Sequence, residues 1–396
     1  MTALLRRPLP QPPDTLRRGP FRASAFRSPL RTERAAAWLG IWLGIAFAVC
    51  FVTGLISHAI QHPPDWFWWP SRPVGLYRVT QGVHVATGLA CVPLLLAKLW
   101  VVYPKLFVWP AARDVAHAVS RIAVLVLVAS AIFQVASGVL NIALWYAPMG
   151  YFFTTAHFWT AWIAIGAVLV HIGAKIEGVR RSVRRLPPVP PPTEPATGLT
   201  RRGLFATVGA GVGVVTLATV GQTLEPLARI SPLAPRRPDI GSQGLPVNKS
   251  AASAGVEEAA RDPAYRLVVD GAEARLDLSL GDLRAMPGHT VEQPIVCVEG
   301  WSADAEWTGV RVRDLLAEVG ADPDADVRVE SLQRGGLYRV SMLPPPHARD
   351  PLTLLAYEVN GQPLNLDHGF PCRLIAPNRP GVLQTKWVAR IGQVTR

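Results

Sequence analysis

The stretch Pro-Ile-Val-Cys-Val-Glu-Gly-Trp, residues 294–301, decides how the C-terminal third of this chain is interpreted. An apolar run that breaks at Glu299 and Gly300 predicts a strand followed by a turn, which places Cys297 at the mouth of a pocket. Thiolate sulfur is a ligand that soft metals select, so Cys297 is a candidate metal ligand. On its own, a cysteine in such a run is more often a small buried hydrophobic residue, and that alternative stays open.

Short motifs surround this cysteine in a fixed order over residues 245–394. They include Trp307-Thr-Gly-Val, Gly336-Leu-Tyr338, His368-Gly-Phe-Pro-Cys-Arg373 and the pair Lys386-Trp387. Together with Cys-Val-Glu-Gly-Trp-Ser at 297–302, this series resembles the molybdopterin-binding domain of the sulfite oxidase family. The resemblance implies an α+β domain and a molybdopterin-dependent oxidoreductase. Short strands around residues 265–271, 327–331, 337–341 and 373–376, with a helix at 312–319, predict the same fold class.

The resemblance also implies roles for individual residues. Cys297 would bind molybdenum, and Tyr338 would take part in catalysis at the substrate pocket. The pterin or its phosphate would be contacted by His368, Arg373, Lys386, Asn248 and Lys249, since guanidinium and ammonium groups suit phosphate oxygens. A surface histidine, a structural ion pair and a solvated lysine remain the alternatives. The family's Gly-Tyr pair has an inserted residue here, and its substrate-binding arginine cluster is not evident, so the resemblance does not imply sulfite as the substrate.

The composition predicts that a large part of the chain lies in a membrane. Of 396 residues, 49% are hydrophobic and only 17% are charged. Five apolar stretches, at 35–60, 79–103, 118–146, 152–174 and 204–220, are long enough to cross about 30 Å of hydrocarbon as helices. The net charge of +12 is concentrated beside these stretches, which argues against nucleic-acid binding. The four cysteines suggest no disulfide framework.

These patterns predict six regions. They are a disordered basic cytoplasmic arm (1–34), a four-helix transmembrane cytochrome b-like domain (35–178), a cytoplasmic Pro/Arg-rich linker (179–203), a fifth transmembrane helix (204–222), an extracytoplasmic linker (223–262) and the oxidoreductase domain (263–396). The bias of Lys and Arg toward the arm, the second loop and the 175–202 segment predicts a multi-pass protein of the cell membrane with a cytoplasmic N-terminus and an extracytoplasmic C-terminal domain. Arg201 and Arg202 are either such a positive flank or an internal twin-arginine export signal. Aromatic residues of the first outer loop predict a belt at the membrane surface: Trp66, Trp68, Trp69 and Tyr77.

Histidines within or beside the apolar stretches are candidate haem ligands, because an ionisable residue in a membrane helix is costly. His84 and His157 fall at one predicted depth on two helices, where imidazoles can bind haem iron axially. His171 shares a helix face with His157 at the opposite depth. His58 lies nearer a helix end, and His117 is an alternative partner of His171. Hydrogen bonding between helices is the competing interpretation.

This region resembles the cytochrome b membrane subunits found with formate dehydrogenases and hydrogenases, in which histidines of the first, second and fourth helices bind two b haems. His58 departs from that pattern by its position near the outer rim, so one haem or two are implied. We therefore expect a membrane-bound oxidoreductase that transfers an oxygen atom to or from a small substrate and exchanges electrons through haem b with quinone. The alternative is a transmembrane haem conduit whose exported domain binds a partner without catalysis.

Overall fold

Five long helices take up most of the chain before residue 221. A computed structural model describes residues 28–107, 114–150, 153–184, 199–221, 223, 227, 230–233 and 241–394. Within these residues, five helices are long and apolar enough to cross a membrane. They are α1 (Glu33–Gln61), α2 (Leu76–Val102), α3 (Val115–Ile142), α4 (Phe153–Arg184) and α5 (Arg201–Val220). Each overlaps one of the predicted apolar stretches over most of its length, although α3 ends at Ile142, four residues before the predicted end. Most of the basic arm lies outside the described residues.

The chain divides into two compact units. The first holds residues 1–52 and 84–217, and the second holds residues 53–83 together with 218–396. In the first unit, α3 packs against α4. A further cluster joins Ala35, Ala36 and Leu39 of α1 to Val101 of α2 and Leu204 of α5.

The second unit contains two five-stranded sheets. One has the order β2-β1-β10-β5-β6, with β1 and β10 parallel and the other pairs antiparallel. The other has β3-β4-β7-β8 in order, with β9 also pairing with β7. The strands are β1 (Leu267–Asp270), β2 (Arg275–Leu278), β3 (His289–Val296), β4 (Ser302–Arg311), β5 (Val327–Ser331), β6 (Val340–Leu343), β7 (Leu354–Val359), β8 (Gln362–Pro363), β9 (Arg373–Ile375) and β10 (Val388–Gln393).

Short helices complete this α+β domain, in agreement with the predicted fold class. They are α6 (Ala251–Ala254), α7 (Glu257–Arg261), α8 (Leu280–Ala285), α9 (Val312–Glu318) and α10 (Pro345–Ala348). Ser279 and Asp282 form a capping box that starts α8. A large apolar core joins residues of both sheets to α9, through Leu315 among others, and a second core surrounds Trp307. Burial of these apolar side chains is the main stabilising contribution to the domain.

Two details differ from the sequence-based expectation. Part of the expected linker at 223–262 is folded: Leu245 belongs to the Trp307 core, and Ala251, Val256 and Ala260 pack on Trp387. Alanine and small polar residues suggested a linker, but alanines at helical spacing also form short buried helices. The strand expected at 337–341 begins instead at Val340, because Gly336 adopts a left-handed backbone with φ of 104° and forms a turn.

Candidate functional site

A cleft in the second unit collects most of the residues predicted for the oxidoreductase site. It is lined by Pro246, Asn248, Ile295, Cys297, Trp301, His368, Arg373, Gly381 and Lys386. Three distant parts of the chain meet there, residues 246–248, 295–301 and 368–386. Five of the seven residues proposed for the oxidoreductase site lie on this lining: Cys297, His368, Arg373, Lys386 and Asn248.

Cys297 lies at the end of β3, where the strand turns. Its backbone N–H donates to Trp301 O at 2.8 Å, and Gly300 N–H donates to Cys297 O at 3.1 Å. Gly300 has a φ of 94°, which an L-residue with a side chain rarely adopts. Because side chains alternate along a strand, Ile295 and Cys297 line the cleft while Val296 belongs to a different apolar cluster. The predicted strand and turn are therefore present, and the cysteine is 1% exposed.

His368 ends a short 3₁₀ turn and is held on the cleft wall. Its Nε2 lies 2.6 Å from Ser242 O, so this nitrogen carries the proton and donates to the carbonyl. Burial lowers the pKa of His368 to about 4, which keeps the ring neutral near pH 7. The next residue, Gly369, has a φ of 112°, and a Cβ there would lie 3.0 Å from Arg373 Cβ and 3.1 Å from Lys386 Cβ. The glycine thus lets the His-Gly turn approach both cationic residues.

Arg373 is the first residue of β9 and is 1% exposed. Its Nη1 donates to His368 O at 3.0 Å, and its guanidinium lies 5.1 Å from the centre of the Trp307 ring. Within the part of the chain that the structure describes, Arg373 Nε is buried with no hydrogen-bond partner. Burial lowers the pKa of Arg373 to about 9, so the guanidinium is charged at neutral pH. A buried cation with an unsatisfied donor is costly unless a bound anion compensates it.

Lys386 provides a second cation on the cleft. Its Nζ donates to Lys249 O and to Asp367 O, each at 2.7 Å. Burial and the neighbouring charge of Arg373 lower its pKa to about 7. Such a lysine carries its charge most readily when an anion binds beside it.

Two predicted site residues lie away from the cleft lining. The ammonium of Lys249 donates to the side-chain oxygen of Gln333, although its backbone carbonyl accepts from Lys386. Tyr338 packs with Tyr77 and Val296, and its hydroxyl donates to Gln61 Oε1 at 2.8 Å. Burial raises the pKa of the Tyr338 phenol, and negative charge on Cys297 raises it further. Tyr338 thus shares an apolar cluster with Val296, the residue directly before Cys297.

Sequence reasoning missed the residues that hold the site in place. Ser242 fixes the His368 ring, and Gly381 forms part of the wall, where a Cβ would come within 3.2 Å of Val296 O. Thr223 donates its hydroxyl to Gly300 O, and Thr223 O accepts from Ser302 Oγ at 2.8 Å. Of these residues, only Gly381 could have been identified from the local sequence, since an isolated glycine often marks a place where two backbone segments approach closely.

The first unit brings together two of the candidate haem ligands. The rings of His84 and His157 have centroids 6.5 Å apart. His84 Nδ1 lies 2.9 Å from Cys50 O, and His157 Nδ1 lies 3.0 Å from Ser137 Oγ. In metal-binding histidines, a protein partner at one ring nitrogen typically orients the other nitrogen toward the metal.

The other three candidate ligands have different surroundings. His171 lies on α4 in the same unit, with Lys98 among its electrostatic neighbours. His117 lies in the first turn of α3, where its backbone N–H donates to Asp114 Oδ1 at 2.7 Å. His58 belongs to the second unit, and its ring centroid is 4.9 Å from that of His62.

Comparison with known proteins relates the cleft to a protein family. Residues 254–396 match the family described as "Oxidoreductase molybdopterin binding domain". Mitochondrial sulfite oxidase of Mus musculus is 38% identical over 156 residues, which cover 32% of this chain and 28% of that protein. The uncharacterized oxidoreductase YuiH of Bacillus subtilis is 34% identical over 115 residues, 29% of this chain and 57% of that protein.

Two further proteins are similar to part of this chain. The putative protein-methionine-sulfoxide reductase subunit YedZ1 of Azospira oryzae is 32% identical over 130 residues, 30% of this chain and 48% of that protein. The sulfane dehydrogenase SoxCD structure from Paracoccus pantotrophus has a TM-score of 0.31 at 27% identity, covering 34% of this chain and 39% of that chain. The chain spans less than a third of the length of the mouse sulfite oxidase that it matches.

Proposed function

We propose that this chain, whose C-terminal region is a sulfite oxidase-like molybdopterin-binding oxidoreductase domain, is a membrane-bound enzyme that transfers an oxygen atom at a molybdenum–pterin centre outside the cytoplasm. Electrons would pass between this centre and the quinone pool through haem b in the same chain. The bound cofactor would supply the two-electron oxygen-transfer chemistry. The residues of the chain would bind it, orient it and exclude water.

The observation that carries this proposal is the chemistry of the cleft. A buried thiol, Cys297, shares it with a buried cation, Arg373, and a half-buried one, Lys386. Thiolate sulfur suits molybdenum, while guanidinium and ammonium suit the phosphate of the pterin. The unsatisfied Nε of Arg373 offers a donor to such a phosphate. The donor set therefore fits the cofactor that the family requires.

The protein groups would have distinct tasks. Cys297 would bind the metal, and Arg373 and Lys386 would neutralise the anionic end of the cofactor. His368, held neutral with its Nε2 proton on Ser242 O, would present Nδ1 as an acceptor toward the pterin ring. Trp301 and Ile295 would cover the metal ligand and lower the local dielectric, which strengthens the charged contacts.

Haem binding is supported by the paired histidines of the first unit. Histidine imidazoles bind haem iron, and two histidines on neighbouring helices would supply both protein ligands. The His84 and His157 centroids are separated by 6.5 Å, and each ring has a protein partner at Nδ1. These two residues would hold the haem that exchanges electrons with the molybdenum centre. A second haem, if the chain binds one, would use His171 with His117.

Membrane location and orientation rest on the helices and their flanking charges. Five described helices are suited to span a bilayer, and by the positive-inside rule the basic flanks would put the N-terminus in the cytoplasm. An odd number of crossings would place the cofactor domain on the other side.

Sulfur–oxygen compounds are the first substrates to test. The relatives are named for sulfite and for methionine sulfoxide, so oxidation of a sulfite-like donor or reduction of an S-oxide is the proposed reaction class. Reduction of an S-oxide consumes two electrons and two protons and releases water and the sulfide.

A haem-oxidation assay tests the function. Purified protein is reduced with dithionite, excess reductant is removed, and candidate S-oxides and N-oxides are added while the haem spectrum is recorded. We expect at least one oxide to oxidise the haem, and the Cys297→Ser variant to fail with the same oxide. For the oxidative direction, sulfite-like donors are added to the oxidised protein. Haem that responds equally in the wild type and in the variant would exclude the proposal and favour the non-catalytic conduit.

A further inference from the structure

The residues on either side of Cys297 rest on one face of α2, within the second unit. Val296, directly before the cysteine, packs in a cluster with Tyr77. The carbonyl of Val298, directly after it, accepts a hydrogen bond from Gln81 Nε2 at 2.7 Å. Tyr77 and Gln81 are four residues apart on the helix and so share one face. Both are buried, with exposures of 0% and 4%.

Other contacts hold this end of α2 on the domain. Asn378 Oδ1 accepts from Tyr77 N–H at 2.6 Å, and Asn378 O accepts from Trp69 Nε1 at 2.8 Å. Arg78 forms an ion pair with Asp304 on β4 at 2.9 Å. The helix end is therefore fixed independently of Gln81, which makes it a rigid support for the cysteine turn.

We propose that Gln81 is a positioning residue for Cys297: the first turns of α2 hold the metal-binding turn from the side opposite the cleft. The inference rests on the proposed role of Cys297 as the metal ligand. Val296 packs in a cluster with Tyr77, and the Val298 carbonyl is bound by Gln81, so α2 holds the backbone on both sides of Cys297, whose side chain lines the cleft. A shift of Val298 would change the backbone torsions of Cys297 and with them the direction of the thiol. The membrane helix would thereby set the direction of the metal–sulfur bond.

Replacement of Gln81 by an apolar residue should have little effect on the overall stability of the domain. Its Oε1 is buried without a hydrogen-bond partner among the described residues, so the side chain makes one hydrogen bond and leaves one polar atom unsatisfied. An apolar side chain of similar size removes a stabilising hydrogen bond and a destabilising unsatisfied atom together. A change at the cysteine turn in such a variant would therefore report on positioning.

Gln293 offers a matched control. It is 1% exposed, its Nε2 donates to Leu352 O at 2.8 Å, and its Oε1 is also unpartnered within the described part of the chain. Its side chain bonds a segment outside the cysteine turn. Gln81→Leu and Gln293→Leu thus remove the same chemistry from two places. Gln81→Asn keeps the amide but shortens its reach by one methylene.

The experiment compares these variants in the full-length protein in detergent. The half-reduced molybdenum centre is paramagnetic, and its electron paramagnetic resonance signal reports the geometry of the sulfur ligand. We expect the signal to shift in Gln81→Leu and Gln81→Asn and to match the wild type in Gln293→Leu, with similar melting temperatures in all. An unchanged signal in both Gln81 variants, or the same shift in Gln293→Leu, overturns the inference.

A second measurement needs no cofactor. In cofactor-free protein, iodoacetamide labelling of Cys297 is followed by peptide mass spectrometry, and its rate reports opening of the buried turn. Loss of one net hydrogen bond corresponds to an increase of about five-fold in labelling for Gln81→Leu, with no change for Gln293→Leu. Equal rates overturn the inference. If the wild type binds no molybdenum, the proposed function fails, while the labelling comparison still decides the role of Gln81.

Discussion

Lys386 gives a quantitative prediction about the cleft without its cofactor. Burial and the charge of Arg373 lower its pKa from 10.5 to about 7. Below pH 7 the lysine is charged in both the folded and the unfolded chain, and the folded state carries the full cost of burying it. Between pH 7 and 10.5 the unfolded chain binds the extra proton, so the free energy of unfolding increases with pH. The slope is about 1.4 kcal/mol per pH unit.

The assay is thermal unfolding of cofactor-free protein in detergent, followed by tryptophan fluorescence between pH 7 and 9. For a domain of this size the slope corresponds to an increase of roughly 3–6 °C in melting temperature per pH unit. Lys386→Met serves as the control that subtracts all other titrating groups, and it should lack this contribution. Bound cofactor should also abolish it, because a phosphate beside the ammonium raises the lysine pKa. Identical pH profiles for the cofactor-free wild type and Lys386→Met would refute the reasoning.

Three further predictions concern other parts of the chain. Arg373→Met should release the pterin at least about ten-fold faster than the wild type, since charge-assisted hydrogen bonds contribute about 1.5–3 kcal/mol each. Pterin fluorescence after gel filtration measures how much cofactor each protein retains. Equal retention by the variant and the wild type would contradict the prediction. His84→Ala should lose haem absorbance per chain while the molybdenum content stays unchanged, and an intact haem spectrum would exclude His84 as a ligand. Arg72→Ala should destabilise the second unit by about 1–3 kcal/mol, because it leaves the buried Asp350 carboxylate without its bidentate partner. Arg390→Ala breaks an exposed pair with Asp270 and should destabilise the unit by less than about 1 kcal/mol. Equal melting temperatures of the two variants would contradict this contrast.

Local patterns predicted the regular elements well. Long apolar runs indicated all five long helices, and β5 occupies the predicted residues 327–331. A helix or strand is favoured by the pattern of residues within its own segment, so the sequence of that segment is enough to predict it. The ordered motifs also indicated the cofactor domain, and the cleft brings Cys297, His368, Arg373 and Lys386 together.

Long-range packing could not be predicted in the same way. Trp66 and Trp68 are exposed, as expected of an aromatic belt, but Trp69 donates to Asn378 O and Tyr77 is fully buried in the second unit. An aromatic residue near a helix end has the same sequence signature in both environments. The partner, Asn378, lies about 300 residues away, and no local pattern connects it to the loop.

Strand β4 is a second element that depends on long-range packing. It runs over ten residues, Ser302–Arg311, with alternating burial in its first half, yet it contains three charged residues and a glycine. Gly309 lies against β7, where a Cβ would come within 2.2 Å of Leu355 O. Only the neighbouring strand explains why glycine is needed at this position, so β4 was not among the strands predicted from the sequence.

The central claim is that Cys297 binds molybdenum in this cleft, and metal analysis tests it directly. Molybdenum and iron are measured per chain in purified wild-type protein and in the Cys297→Ser variant. We expect about one molybdenum per wild-type chain, loss of most of it in the variant, and equal haem iron in both. Equal molybdenum in the two proteins, or haem-loaded wild type without molybdenum, would contradict the account.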